Sequence, residues 1–302
     1  MSNRRPIAMT DPIVALDKKP DVKAFFDTQS NTISYVVKDP DSTSCAVIDA
    51  VMQFDAAAGR LSYESADEII ADITARGLQL EWIIETHVHA DHLSGAPYIQ
   101  QHLGGKIGIG EHIQEVQDTF GKIFNEGTEF QRDGSQFDAL FTDGDQYTIG
   151  QLQCFAMHTP GHTPACMVHV MGDSAFAGDT LFMPDGGSAR ADFPGGDAGQ
   201  LFDSILRVLS LPDAVRLFVC HDYGPNGRAI AWETTIGDQK AANIHVGDGA
   251  SRAEFIAMRE ARDKQLAVPK LIIPSLQVNM RAGEVPTDDS GNMQLKIPVN
   301  RL

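Results

Sequence analysis

The order of apolar and polar residues changes its period along the chain, and the changes predict alternating strands and helices. Residues 32–38 and 45–49 are short, apolar and β-branched, and the turn-forming run 39–41 separates them, which predicts a hairpin. Residues 65–76 repeat apolar side chains at helical spacing and are followed by Gly77, a helix-ending residue. The first quarter of the chain therefore predicts two paired strands followed by a helix.

The start of this first helix carries a capping pattern. Ser65 is followed three residues later by Glu68. At that spacing each side chain can bond to the backbone N–H of the other residue, which forms a capping box. We therefore predict that Ser65 is the N-cap.

The alternation continues through the rest of the chain and predicts an α+β fold, in which two β-rich sheets have helices outside them as an αββα sandwich. We expect one domain over residues 1–302, with a core of about 30–225 and a loop- and helix-rich C-terminal extension of about 226–302. A second hairpin is predicted around Gly172-Asp173. The further predicted strands are 80–85, 106–109, 152–158, 167–170, 174–177 and 215–220, and the further predicted helices are 111–124, 200–209 and 252–265.

Composition and charge narrow the class of partner. The 302 residues include 41 acidic and 24 basic side chains, which gives a formal net charge of −17. Nucleic-acid binders and proteins that dock on anionic lipid need a basic surface, so we expect neither kind of partner. An anionic small-molecule substrate stays compatible with this charge, because a few basic residues in one pocket can override the net field.

The cysteines and the N-terminal sequence predict a soluble, cytoplasmic protein. The four cysteines are scattered without a CxxC pair, which favours reduced, mostly buried thiols over a disulfide framework or a zinc ribbon. The apolar run 6–9 after Arg4-Arg5 is too short for a secretory signal. No apolar run approaches the roughly 18 residues of a spanning helix. The cysteines are Cys45, Cys154, Cys166 and Cys220.

One cluster of residues has the side-chain types that bind metal ions. Three histidines and one aspartate fall within six residues, directly after the apolar strand predicted at 80–85. Imidazole and carboxylate together suit Zn, Fe or Mn, and strand ends are where layered α/β folds bind ligands. Three more such residues follow predicted strands later in the chain, which strengthens the prediction of a metal site. The first set is His87, His89, Asp91 and His92, and the later residues are His162, Asp179 and His221.

This set of residues resembles the HxHxDH pattern and the later ligands of the metallo-β-lactamase superfamily over about residues 30–225. The resemblance implies an αββα sandwich with a metal site at one sheet edge. In the superfamily's two-metal arrangement, one site would use His87, His89 and His162, and a second would use Asp91, His92 and His221, with Asp179 shared.

Within the superfamily, the sequence resembles the persulfide dioxygenase branch, which is close to glyoxalase II. The element Arg190-Ala191-Asp192-Phe193 after the shared aspartate is similar to that branch, as are the small Ala90, the run 221–223 and the run 279–281. This resemblance implies one Fe(II) per chain, bound by two histidines and one aspartate, while the remaining four residues orient ligands and water or hold a second metal. The implied iron ligands are His87, His162 and Asp179, and the remaining four are His89, Asp91, His92 and His221.

The same resemblance implies a function in sulfide detoxification. The enzyme would oxidise glutathione persulfide with O₂ and water to sulfite and glutathione, with catalysis at the iron and no separate protein nucleophile. Because glutathione carries two carboxylates, we predict that Arg190 binds one of them bidentately and that Tyr223 contacts the substrate by a hydrogen bond or by packing. A homo-oligomer is compatible with the sequence.

Two alternatives stay open at this point. All seven superfamily ligands are present, so a two-metal hydrolase of glyoxalase II type, acting on a thioester or lactone with two Zn, Fe or Mn ions, is compatible with the residues. A non-catalytic, metal-binding sensor or interaction module is the other alternative. The residue types alone leave the metal, its number and the preferred persulfide open.

Overall fold

Every predicted strand and helix occurs in the predicted order in a computed structural model that describes residues 14–301. Within those residues the structure adds seven strands and three α-helices that the sequence analysis does not predict. The N-terminal run 4–9, on which the expectation of no secretory signal rests, lies outside the described residues. No helix within 14–301 is both long and apolar enough to cross a bilayer. The strands are β1 (Asp21–Asp27), β2 (Thr32–Lys38), β3 (Ser44–Ile48), β4 (Val51–Asp55), β5 (Arg60–Ser62), β6 (Gln79–Ile84), β7 (Leu93–Ser94), β8 (Lys106–Gly110), β9 (Ala139–Phe141), β10 (Gln146–Ile149), β11 (Leu152–His158), β12 (Met167–Met171), β13 (Ser174–Phe176), β14 (Arg216–Phe218) and β15 (Glu233–Thr235). The α-helices are α1 (Glu64–Ala75), α2 (Ala96–Leu103), α3 (Ile113–Ile123), α4 (Ala198–Leu209), α5 (Ile236–Ala242), α6 (Arg252–Asp263) and α7 (Ile272–Asn279), and short 3₁₀ turns cover Pro225–Gly227 and Gly247–Gly249.

Two six-stranded sheets pack face to face at the centre of the fold. The first sheet has the strand order β1-β2-β3-β6-β8-β9 and the second has the order β10-β11-β12-β13-β14-β15. Strand β2 shows why they pack: Ile33, Tyr35 and Val37 enter the core between the sheets, while Val36 faces the helices. The Tyr35 ring makes edge contacts with aromatic rings of β13 and β14, at centroid distances of 5.4 and 5.5 Å. A continuous apolar strand is therefore buried on both faces.

Helices cover the outer face of each sheet. Helices α1, α2 and α3 pack on the first sheet, and α4, α5 and α6 pack on the second. This helix–sheet–sheet–helix order confirms the predicted αββα sandwich and the α+β class. Both predicted hairpins are also confirmed, since β2 pairs with β3 and β12 pairs with β13, each antiparallel.

The predicted capping box at Ser65 is wrong. Helix α1 begins at Glu64, its N-cap is Tyr63, and no side chain caps its first turn. The Ser65 hydroxyl instead contacts the Gln53 amide and donates to Asp27 at 3.3 Å. The serine is therefore drawn into a tertiary polar cluster that the local pattern does not encode.

The C-terminal residues pack on both helix layers. Helix α6 lies on α4, where Phe255 and Phe202 have ring centroids 5.3 Å apart. Leu276 of α7 and Met280 just after it are fully buried in the core on the opposite side, with α1, α2 and α3. The four cysteines are also buried, which confirms their predicted burial.

Candidate metal centre

The polar residues predicted as ligands all follow strands that run in the same direction. Strand β6 ends at Ile84, and β11, β13 and β14 end just before the loops that carry the later ligands. Strands β13 and β14 are parallel, and β11 shares their direction because two antiparallel pairings separate it from β13. The carboxyl ends of these strands therefore meet at one edge of the sandwich. The residues that the structure brings together there are His87, His89, Asp91, His92, His162, Asp179 and His221.

The first ligand group contains two histidines and one carboxylate. Asp179 Oδ2 lies 3.5 Å from His162 Nε2 and 4.0 Å from His87 Nε2. All three residues are buried, and their ligand atoms lie within 4.8 Å of one another. A single metal ion between these atoms would receive two imidazole nitrogens and one carboxylate oxygen.

A second group lies on the other side of the same aspartate. His221 Nε2 is 3.4 Å from Asp179 Oδ1 and 3.5 Å from Asp91 Oδ2. His92 Nδ1 lies 3.5 Å from Asp91 Oδ1. Asp179 therefore turns one oxygen towards each group, as a bridging carboxylate would.

A glycine sets the approach of Asp179 to the histidine loop. Gly178 has a φ of +48°, and a Cβ atom there would lie 2.6 Å from the Thr86 hydroxyl and 3.5 Å from Nδ1 of His87. A larger residue would be strained and would push the two loops apart. Gly178 therefore allows Asp179 to lie against His87.

His89 is held by two carboxylates that the sequence analysis missed. Its Nε2 lies 3.0 Å from Asp49 Oδ1 and 3.3 Å from Glu85 Oε2. Burial disfavours the charged ring, but the Asp49 carboxylate outweighs it and holds the pKa of His89 well above its usual range. Asp49 and Glu85 directly follow β3 and β6, so the strand-end criterion that identified the other ligands could have found them.

Hydrogen bonds to the far ring nitrogens orient the remaining histidines. His162 Nδ1 donates to the Arg190 carbonyl at 2.7 Å. His87 Nδ1 contacts the Thr86 hydroxyl at 3.0 Å, and the Thr32 hydroxyl lies 3.2 Å from Nδ1 of His92. Such contacts fix the tautomer and the ring plane, so Nε2 is left to bind a metal.

A second, independent observation indicates that these residues fit a metal ion. His89 Nδ1, His92 Nε2 and Asp179 Oδ1 are buried side-chain atoms without a hydrogen-bond partner in the described part of the chain. Buried polar atoms almost always have a partner, so this cluster lacks one that a cation would supply. Nitrogen and carboxylate donors together are typical of Zn, Fe and Mn sites.

The electrostatics agree with metal binding. Burial and the neighbouring histidines hold the pKa of His87 well below its usual range, so its ring is neutral at pH 7 and has a free lone pair. Burial disfavours the charged form of Asp91, but His221 and His92 outweigh it and lower its pKa. His87 therefore presents a neutral imidazole to the site and Asp91 an ionised carboxylate, whereas nearby carboxylates raise the pKa of His89 and of His221.

The two predicted substrate contacts adjoin this cluster in different ways: Tyr223 through its ring near His221, and Arg190 through its backbone carbonyl, which accepts from His162. The Arg190 guanidinium donates to both oxygens of Asp192, at 2.5 and 2.8 Å, and to the Ala267 carbonyl at 2.8 Å. The Tyr223 side chain is 62% exposed, and its ring lies 6.3 Å from the His221 ring. A substrate carboxylate would therefore share the Arg190 guanidinium with Asp192.

A residue of the C-terminal extension holds the HxHxDH loop. Asn279 Nδ2 donates to the carbonyls of His89 and His92, each at 2.8 Å, and its Oδ1 accepts from the Ser94 backbone N–H at 2.8 Å. Asn279 is buried at the end of α7. One amide therefore connects the extension to the loop that carries four of the seven candidate ligands.

We expect Asn279→Ala to destabilise the protein and to weaken metal binding. The substitution leaves two carbonyls and one N–H of a buried loop unpaired, so the free energy of unfolding should fall by about 3 kcal/mol. Chemical denaturation and metal titration would measure the two effects. Asn292→Ala is the matched control, because Asn292 lies in an exposed loop where its amide contacts Asp288. Unchanged metal affinity in Asn279→Ala would contradict the role of Asn279 in holding the loop.

The fold and the site define a metal-dependent enzyme with an αββα sandwich and a histidine- and aspartate-lined centre at one sheet edge. The family model of the metallo-beta-lactamase superfamily matches residues 27–221, and the chain belongs to this superfamily. The match ends at His221, the last of the seven candidate ligands.

Named relatives fall into more than one activity class. A protein of Burkholderia pseudomallei (strain 1710b), named as a probable metallo-hydrolase, is 52% identical over 93% of this chain and 99% of its own length. Glyoxylase B2 of Dictyostelium discoideum is 46% identical over 95% of this chain and 99% of its own length. The human mitochondrial persulfide dioxygenase ETHE1 is 27% identical over 88% of this chain and 90% of its own length.

A solved structure with a similar fold is ETHE1 from Myxococcus xanthus. It superposes with a TM-score of 0.70 at 29% sequence identity, and the match covers 87% of this chain and 100% of that chain. The similarity extends beyond residues 27–221 of the family match, so part of the C-terminal extension is also shared.

Proposed function

We propose that this protein is an Fe(II)-dependent persulfide dioxygenase that acts on glutathione persulfide. The overall reaction consumes one persulfide, one O₂ and one water and releases sulfite and glutathione. The observation that carries the proposal is the compact group of His87, His162 and Asp179, whose ligand atoms lie within 4.8 Å of one another.

Two histidines and one carboxylate on one face of Fe(II) leave the opposite positions open. Iron held in this way would bind and activate O₂ and the terminal persulfide sulfur. The chain's own part is to hold the ligands still: the Arg190 carbonyl fixes the His162 ring, and Gly178 allows Asp179 to approach His87. His89, Asp91, His92 and His221 would orient ligands and water through their hydrogen bonds.

Residues at the edge of the site would bind the glutathione part of the substrate. The Arg190 guanidinium is partly accessible and can bind a carboxylate bidentately if Asp192 shares it. Tyr223 presents its ring and hydroxyl to solvent beside His221, where it can pack on the ligand or donate a hydrogen bond. We therefore propose Arg190 and Tyr223 as substrate contacts.

The comparisons support the proposal through ETHE1. The chain resembles persulfide dioxygenase over 88% of its length, and the Myxococcus xanthus ETHE1 structure superposes on 87% of it. The element 190–193, on which the sequence resemblance rests, lies beside His162 through the Arg190 carbonyl.

A second candidate function is favoured by the second ligand group. Asp91, His92 and His221 lie next to the first group, and Asp179 turns an oxygen to each side. Two metal ions held by these residues would lower the pKa of a bound water, as in thioester hydrolysis. The names metallo-hydrolase and glyoxylase of two relatives agree with this alternative.

Metal content and oxygen uptake separate the two functions. The protein is prepared with iron alone and with zinc alone, and each form is assayed with glutathione persulfide and with a glutathione thioester. We expect about one iron per chain, with O₂ uptake that matches sulfite release in the iron form. Two zinc ions per chain with thioester hydrolysis, and no O₂ uptake in the iron form, would overturn the dioxygenase proposal in favour of the hydrolase.

A further inference from the structure

The C-terminal extension forms hydrogen bonds with one loop of the metal centre. We call residues 184–192, which follow Asp179, the clamp loop. The extension forms hydrogen bonds with three backbone groups of the clamp loop. The Pro184 carbonyl accepts from the Ile244 N–H at 3.0 Å, and the Gly187 carbonyl accepts from the Asn243 side chain at 3.1 Å. The Ser188 N–H donates to His245 Nδ1 at 2.9 Å. The clamp loop is therefore held along its length by residues far away in sequence.

A buried ion pair on helix α6 holds the remaining part of the clamp loop. Arg259 Nη2 lies 2.6 Å from Asp263 Oδ1, one helical turn away, and the two residues are 1% and 5% exposed. Arg259 Nη1 donates to the Ser188 carbonyl at 3.1 Å. The second oxygen of Asp263 accepts from the Ala191 N–H at 2.8 Å. The pair thus bonds the backbone on both sides of Arg190.

A contribution to stability alone does not explain why this ion pair is buried. Arginine and aspartate are seldom fully buried, and a buried ion pair often contributes no more to stability than apolar residues of the same volume. Here each partner uses its remaining hydrogen-bonding atoms on the clamp loop, with one contact on either side of the Arg190 carbonyl. That carbonyl is the group that accepts from His162 Nδ1 at 2.7 Å.

We propose that the Arg259–Asp263 ion pair positions His162 for metal binding by fixing the carbonyl that holds its ring. Both residues act through the clamp loop and neither touches the ligand atoms, so they are positioning residues. The imidazole plane is then set by a helix of the C-terminal extension, outside the 27–221 family match. The inference is independent of the reaction, because His162 belongs to the ligand set in both the iron and the two-metal arrangements.

The test compares metal binding in variants of the whole chain. Arg259→Met removes the charge at similar length, Arg259→Lys keeps the charge without the planar fork, and Asp263→Asn keeps the shape. Zn(II) affinity is measured by competition with a chelator, and the visible spectrum of the Co(II) form reports ligand geometry. We expect Arg259→Met to raise the metal dissociation constant about 10–100-fold and to shift the Co(II) spectrum, with partial recovery in Arg259→Lys.

Two controls separate positioning from a general loss of stability. Arg252 lies on the same helix as Arg259, and Arg252→Gln breaks its exposed ion pair with Asp203 of α4. This variant should change neither affinity nor spectrum. In a His162→Ala background, Arg259→Met should no longer alter Zn(II) affinity, because the group on which it acts is gone. If Arg259→Met and Asp263→Asn bind metal with wild-type affinity and spectrum, the proposal is overturned. An equal loss of affinity with and without His162 would overturn it as well. None of these readouts uses turnover, so their failure is distinct from failure of the proposed function.

Discussion

Asp179→Asn should abolish most metal binding and most activity while the protein stays folded. The carboxylate is 9% exposed, and its oxygens lie 3.5 Å from His162 Nε2 and 3.4 Å from His221 Nε2. An amide of the same size keeps the packing, but it loses the negative charge and presents an N–H to one of the two ligand groups. Loss of an outer hydrogen bond alone costs about 10–100-fold in metal affinity, so loss of this ligand should cost more than about 100-fold.

Metal analysis, turnover and circular dichroism would be measured together on this variant. Asp203→Asn is the matched control: it removes a carboxylate that is exposed and paired with Arg252, and it should leave all three measurements unchanged. Wild-type metal content and turnover in Asp179→Asn would show that the aspartate is a structural residue at a strand end. Such a result would remove Asp179 from the metal ligands of both candidate functions.

Arg190→Ala should weaken the apparent affinity for glutathione persulfide about 10–150-fold, because a charge-assisted bond to a carboxylate contributes about 1.5–3 kcal/mol. Its carbonyl, which holds His162, belongs to the backbone and is retained, so metal content should stay unchanged. Arg190→Lys should recover only part of the affinity, since an ammonium cannot reproduce the bidentate fork. Steady-state kinetics with glutathione persulfide and with a persulfide that lacks the peptide carboxylates would show whether the loss is specific to the first substrate.

The ion pair with Asp192 supplies the control for this prediction. Asp192→Asn removes the carboxylate that competes for the Arg190 guanidinium, so KM should not rise. A rise similar to that in Arg190→Ala would show that the ion pair holds the loop, as would an equal loss on both substrates. Either outcome would withdraw the role of Arg190 in binding glutathione.

The sequence by itself determined the layers of the fold and the residue types at its edge. Residues 32–38 form β2 at the bounds that their apolar pattern predicts, because a strand buried on both faces has few other conformations open to it. The HxHxDH run after β6 and the later residues after β11, β13 and β14 were visible for the same reason: a strand and the loop that follows it are neighbours in sequence. Local periodicity therefore predicted eight of the fifteen described strands and the positions of the seven candidate ligands.

Only the tertiary structure decided what surrounds those ligands. Ser65 matched a capping pattern, yet its hydroxyl is engaged by Gln53 and Asp27 from two other strands. Asn279 lies about 190 positions after the His89 carbonyl that it binds. Arg259 reaches the clamp loop across 71 positions. The distance between the groups that such hydrogen bonds join depends on the path of the whole chain. A periodic pattern in the sequence therefore does not predict these bonds. The residue types that can bind a metal are a property of the sequence, whereas the distances that make them one site arise only when the two sheets and the C-terminal helices have packed.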